Sequence, residues 1–308
     1  MTPVHVHLPN DIARLDGCGT WDRRHLSDLL TLEPVAANVF RGRFNESNAS
    51  GAPFGGQLVA QAIAAADSTI EEDRRVHSLH GHFLRTGVLD QAIDYHVEHV
   101  RDGRRFSIRH VEGRQGGVVL CRMTCSYRTN LAGFAHQAPV QHPLDPDQAL
   151  DVGTLARSGR ADLPPFLKRY TMPQPIEIRV PGEPGFLSPD ARPQRYYWLR
   201  IPSLAATDDP RIHRQGLAYL SDYLLPGASL VPHTMPLPGP HIFVASLDHA
   251  LWFHHSVRCD DWLLFDTDSP FTGEGVALSR GLVFDREGRL VATIAQESLQ
   301  IPRDLASE

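Results

Sequence analysis

Asp222, in the stretch LAYLSDYLLP (217–226), is an acid set on a helical pattern. The packing stripe of that pattern is Leu217, Leu220 and Leu224, spaced i, i+3 and i+7. On the carboxylate's own side, the i−4 and i−7 positions are Ala218 and Gln215. A small neighbour leaves room for water or a ligand beside the acid. Burial there raises a carboxyl pKa and suits general-base work near neutral pH; the plain alternative is an exposed helix aspartate. Gln296 shares strand parity with Leu290, Ala292 and Ile294 and so points to the apolar face, while Glu297 points away. An inward amide without partners costs about 1–3 kcal/mol, so Gln296 is either a satisfied core amide or a group that holds a water. The pair Gly55-Gly56 opens a helix whose first N–H groups suit a developing oxyanion, or simply allows close packing.

Other chemistries fit less well. A serine nucleophile asks for G-x-S-x-G on a strand-to-helix turn, and the nearest string, Gly227-Ala228-Ser229-Leu230-Val231, fails at the second glycine. Seventeen histidines invite a metal reading, above all His77, His80 and His82 or His249, His254 and His255, yet none has zinc-type spacing with cysteine. No metal and no cofactor is expected; Asp248-His249 either supports the site structurally from behind or, the preferred reading, is a hydrogen-bonded core pair. Cys121 and Cys125 share a strand at a separation of about 13 Å, too far to bond to each other. The Arg101–Arg105 cluster suits phosphate groups or is a solvated hairpin tip.

These residues need elements to hold them. Strands are expected at Val35–Phe44, Val76–Arg85, Gln91–Arg101, Arg104–Glu112 and Val118–Arg128, several with the alternation of half-buried antiparallel strands. The helix from Gln57 to Ser68 has almost no polar face and must be buried nearly all round. Further on, strands are expected at Ile176–Val180, Gln194–Ile201, His241–His254, Cys259–Asp266, Gly275–Phe284 and Leu290–Ile301. A helix runs from Pro210 to Leu224, with Asp209 as its cap. Eleven of the 24 prolines fall between residues 136 and 193. Residues 133–173 therefore read as a Pro-rich linker with one short helix, between domains at 25–132 and 174–303.

The two halves can be laid on each other. Arg109 and Arg280, Gly117 and Gly288, and Cys125 and Gln296 are each 171 apart, Gln57 and Gln215 are 158 apart, and Ser78 answers Ser246 at 168. The pattern is a tandem duplication of one helix wrapped by one antiparallel sheet. Where the second half has Asp222, Ser246 and Gln296, the first has Ala64, Ser78 and Cys125, so one active site per chain is expected.

The 308 residues, with 42% hydrophobic content, suffice for two cores. A net charge of −6 argues against an electrostatic hold on nucleic acid. No apolar run is long enough to span a membrane. The opening MTPVHVHLPND does not read as a secretory signal. Four cysteines, Cys18 among them, point to a reducing compartment, the cytoplasm.

The stretches LLTLEPVAANVFRGRF (29–44), FGGQLVAQAIAAA (54–66), VHSLHGHFLRTG (76–87), RDGRRFSIRHV (101–111), LAYLSDYLLP (217–226), SLDHALWFHH (246–255), WLLFDTDSP (262–270) and LVATIAQESL (290–299) together resemble the type II acyl-CoA thioesterase (TesB-like) family. The resemblance implies an α+β double hot-dog fold, in which each domain wraps a long helix in an antiparallel sheet. It implies hydrolysis of fatty acyl-CoA by water that Asp222, Ser246 and Gln296 activate, without an acyl-enzyme. Gly55, Gly56 and Gln57 of the FGGQ motif, with Arg101 and Arg104, are the expected substrate contacts. A homodimer or tetramer is expected from the family. Two other readings stay open: a non-catalytic acyl-CoA sensor on the same fold, and an enoyl-CoA hydratase. The hydratase reading lacks a close Asp/His dyad, since His213 precedes Asp222 by about 13 Å of helical rise.

Overall fold

The computed structural model describes residues 21–141, 145–160, 165–182, 192–233 and 241–303. Cys18 lies outside them. The first half contains α1 (Leu26–Leu30), β1 (Glu33–Ala36), β2 (Val39–Gly42), α2 (Gly55–Asp67), β3 (Arg75–Phe83), β4 (Ile93–Asp102), β5 (Phe106–Gln115) and β6 (Val118–Arg128). After a connection come β7 (Leu150–Asp151), α3 (Val152–Arg157), β8 (Glu177–Val180), β9 (Gln194–Arg200) and α4 (Pro210–Leu220). The described residues end with α5 (Gly227–Leu230), β10 (Ile242–Ser246), β11 (Asp248–Phe253), β12 (Leu263–Gly273), β13 (Val276–Phe284) and β14 (Leu290–Pro302).

All fourteen strands join one antiparallel sheet in the order β1-β2-β4-β5-β6-β3-β11-β14-β13-β12-β9-β8-β7, with β10 also pairing β14. The order is a palindrome about the β3–β11 seam: β3 answers β11, β6 answers β14, β5 answers β13 and β4 answers β12. This is the double hot-dog arrangement. At the seam Leu79 pairs with Leu251, His80 with Ala250, and Gly81 with His249. Adding 170 to one side of each pair gives the other side of its mirror pair, so the pseudo-twofold passes through His80 and Ala250.

The helices explain why the sheet wraps. Every α2 residue from Gly56 to Asp67 is buried, as a run without a polar stripe requires, and α2 packs directly on α4. Asp209 caps α4 by accepting from the Arg211 N–H, with Pro210 in the first turn.

Four expectations are corrected. The strand expected over 35–44 is a hairpin, β1 and β2, because Asn38 turns the chain at φ +56°. The helix expected to reach Leu224 ends at Leu220, where the backbone tightens and then turns left-handed at Leu224 (φ +60°). The stretch expected as a linker with one short helix also holds β7, which pairs β8 at the sheet edge, and a 3₁₀ segment over Pro165–Thr171. Its aspartates make this possible: the Asp151 side chain accepts from the Thr154 N–H and caps α3.

The fourth correction bears on the site. The strand expected over 241–254 is interrupted at Leu247. Ser246 pairs with Ser298 and Ala250 with Ala295, so four steps on one strand face three on the other. That is a one-residue β-bulge. The first half carries the same bulge, since Val76 pairs with Tyr127 but Ser78 with Ser126. The structural counterpart of Ser246 is therefore Val76, not Ser78.

Candidate active site

Asp222 sits in the turn just past α4. The Ser221 hydroxyl lies 2.7 Å from the Ala218 carbonyl, and the Tyr223 N–H donates to the Leu220 carbonyl at 2.9 Å. This turn aims the acid back toward the start of α2. The residue is 8% exposed. Gln296 Nε2 donates to Asp222 Oδ1 at 2.9 Å, and it also donates to Ser246 Oγ. One amide thus joins a carboxylate and a hydroxyl from three separate elements. Since Ser246 Oγ accepts from the amide, its own proton is left to donate elsewhere.

Burial pushes the Asp222 carboxyl up to about 6, against the opposing pull of the Gln296 amide and the Gly56 N–H. The other oxygen, Oδ2, faces the glycine pair. A Cβ on Gly55 would lie 2.7 Å from it and 3.2 Å from the Phe83 ring. A Cβ on Gly56 would lie 2.4 Å from the Tyr219 carbonyl. Glycine at these two positions lets α2 begin against α4 while leaving space beside Asp222 Oδ2.

The remaining expected contacts are placed differently. The Gln57 side chain accepts from the Glu46 N–H at 2.6 Å and donates to the Phe44 carbonyl and Asn45 Oδ1, each at 2.9 Å. It ties the approach to α2 together. Arg101 and Arg104 are exposed at the β4–β5 hairpin. Among the described residues, no hydrogen bond or ion pair joins either to the Asp222 cluster. His213 is occupied by the Thr207 carbonyl at 3.0 Å and the Cys259 N–H at 3.1 Å, so it is no partner for Asp222.

One buried group near the site escaped the sequence reading, and a second is placed differently than expected. Glu46 accepts from the hydroxyls of Tyr219 and Tyr223, the latter at 3.2 Å, and pairs with Arg23 at 3.2 Å. Burial raises its carboxyl. The two tyrosines flanking Ser221 and Asp222 were the only visible sign of it. His249, expected to pair with Asp248, instead has Nε2 2.8 Å from Ser221 Oγ while Asp248 accepts from the Glu297 N–H at 2.7 Å, and burial lowers the His249 pKa to about 4.

Residues 45–128 match the family model described as "Acyl-CoA thioesterase N-terminal domain", and residues 143–300 match "Acyl-CoA thioesterase C-terminal domain". Acyl-coenzyme A thioesterase 8 of Mus musculus is 34% identical over 284 residues, covering 89% of this chain and 88% of its own. Acyl-CoA thioesterase 2 of Haemophilus influenzae is 32% identical over 277 residues, covering 89% and 96%. The crystal structure of an acyl-CoA thioesterase II, TesB2, from Mycobacterium marinum superposes with a TM-score of 0.71 at 33% identity, covering 90% of this chain and 97% of that one.

Proposed function

The chain belongs to the type II acyl-CoA thioesterase (TesB-like) family and hydrolyses acyl-CoA thioesters, and we propose that a water held between Asp222 and Ser246 attacks the thioester directly. The observation that carries this reading is the buried carboxylate with one oxygen fixed by Gln296 and the other facing the open start of α2. Asp222 Oδ2 takes a proton from the water as its oxygen bonds to the carbonyl carbon. Ser246 donates its free proton to that water or to the carboxylate edge. As the C–S bond breaks, the thiolate recovers the proton, giving the free acid and CoA thiol. Gln296 spends both N–H groups on Asp222 and Ser246, so its part is to hold the base and the hydroxyl in register.

The first amides of α2 support the carbonyl oxygen as charge develops. With the Gly56 N–H directed at Asp222, Gly55 is the donor assigned to the carbonyl. Gln57 contributes through the backbone it secures, and Arg101 and Arg104 are assigned to the phosphates of CoA. The substrate class is fatty acyl-CoA, its chain lying against the apolar faces that enclose α2 and α4. Buried free cysteines at 121, 125 and 259 suit a reducing compartment such as the cytoplasm. No helix of the described residues is long and apolar enough to cross a membrane. Assembly into a dimer or tetramer remains the family-based expectation, and the chemistry above uses one chain only.

Thiol release from a ladder of acyl-CoAs, with native protein and Asp222→Asn side by side, tests the proposal. Hydrolysis that falls at least about a hundredfold in the variant is the expected result. Equal turnover by both proteins sinks the mechanism, and binding without turnover favours the sensor reading.

A further inference from the structure

We infer that His249 is a positioning residue for Gln296, donating from Nδ1–H to Gln296 Oε1 and so fixing which end of the amide faces Asp222 and Ser246. The inference rests on the catalytic reading of that trio and adds to it a fourth residue that touches no substrate.

The placement comes from the register. Ala250 pairs with Ala295, and one further step along both strands sets His249 opposite Gln296. Without the bulge at Leu247, residues 246 and 249 would point to opposite faces of the strand. With the extra residue, both side chains turn to the same face, His249 opposite Gln296 and Ser246 opposite Ser298, two residues further along β14. His249 is 1% exposed and Gln296 likewise 1%.

The polar bookkeeping points the same way. Gln296 has two N–H groups, and both are taken. Among the described residues, Gln296 Oε1 and His249 Nδ1 are buried without a partner, although the Gln296 side chain bears on the imidazole. Two orphaned polar atoms on directly opposed residues are the complement of each other if Nδ1 carries the proton. This tautomer requires the Ser221 hydroxyl, placed 2.7 Å from the Ala218 carbonyl, to turn its proton to Nε2, 2.8 Å away. The imidazole stays neutral at working pH because burial lowers its pKa to about 4. A reversed amide would instead set Oε1 against the Asp222 carboxylate, an acceptor facing an acceptor.

The duplication supplies an internal control. The counterpart of the His249–Gln296 pair is Leu79–Cys125, which are paired across β3 and β6 and fully apolar. The half without the base has no amide to orient, and it carries leucine where the other half carries histidine.

Two measurements decide the matter. In the first, kcat and KM for acyl-CoA hydrolysis are compared among native protein, His249→Asn and His249→Gln, each also in a Gln296→Ala background. Asn keeps an N–H near the Nδ1 position, whereas Gln keeps one only near Nε2. His249→Gln should lower kcat about tenfold or more with KM little changed, as one lost hydrogen bond implies. His249→Asn should restore most of kcat, and His249→Gln should have almost no further effect once Gln296 is Ala. Equal losses in Asn and Gln, or a full loss in the Gln296→Ala background, overturn the inference. In the second, long-range ¹H–¹⁵N spectra of histidine-labelled native protein read the tautomer, with His249→Asn identifying the signal. An Nδ1–H tautomer supports the assignment and an Nε2–H tautomer refutes it. This second reading needs no turnover, so a native protein that hydrolyses nothing would sink the catalytic proposal while the tautomer still decides the role of His249.

Discussion

Asp67 and Asp222 sit at corresponding ends of the two central helices, and burial pushes both carboxyls up to about 6. What differs is how their oxygens are used. Asp67 Oδ1 accepts from the Tyr127 hydroxyl at 2.9 Å and Oδ2 from the Gln215 amide at 2.8 Å. Both oxygens serve the fold, stitching α2 to β6 and to α4. Asp222 gives one oxygen to Gln296 and turns the other to the gap left by Gly55. A perturbed carboxyl pKa marks both residues equally; what sets Asp222 apart is an oxygen turned to the space beside Gly55, which the proposed mechanism uses as the base.

The comparison can be broken most easily by activity. Asp222→Asn should cut kcat by about 10²–10⁴, while Asp67→Ala should leave kcat within about twofold; similar losses in thiol release from both would erase the distinction. Next comes the gap itself. Gly55→Ala places a methyl 2.7 Å from Asp222 Oδ2 and should lower kcat by about 10²-fold through displacement of the base. A fully active Gly55→Ala protein would mean that the working oxygen lies elsewhere.

Stability should rank the two acids in the opposite order. Asp67→Ala strands the Tyr127 hydroxyl and the Gln215 amide, at a cost of about 2–4 kcal/mol in urea unfolding. Asp222→Asn should instead gain stability at neutral pH. The Asp222 carboxyl is higher in the folded chain, about 6, than its ordinary 3.8. The folded state therefore holds the proton longer, and native stability falls as pH rises from about 4 to 6 and stays lower above that. About two pK units correspond to about 3 kcal/mol, so Asp222→Asn should gain roughly that much on native protein between pH 4 and pH 8. The same ionisation gives the smallest effect in energy: kcat/KM should rise with pH through about 6 and level off, and a profile flat from pH 5 to 8 would remove Asp222 as the base.

Much of this was legible in the chain itself. The run from Gln57 to Ala66, with almost no polar face, could only be a buried helix, and the parity of Gln296 against Ile294 and Ala292 already turned its amide inward. Asp222 was singled out by the resemblance of its YLSD stretch, and Ala218 added only that there was room beside it. Other features depended on contacts between segments far apart in sequence. No spacing rule links Asp67 with Tyr127 and Gln215, or Glu46 with the tyrosines beside Asp222. The bulge at Leu247 adds one residue without glycine or proline to mark it, so His241–His254 read as a single strand and Ser246 was matched to Ser78. His249 was matched to its neighbour Asp248 because Ser221 and Gln296, the residues it faces, lie 28 and 47 positions away.

That bulge is present in both halves, at residue 77 and again at 247. A feature shared by the two copies belongs to the unit that was duplicated, so the backbone able to bring a hydroxyl and an imidazole to one face is older than the division of labour between the halves. Val76, Leu79 and Cys125 occupy in the first copy the places that Ser246, His249 and Gln296 occupy in the second. On the proposed mechanism the first half is thus a scaffold that differs from the second in its side chains, and a second reaction centre in the same molecule would begin with those three exchanges.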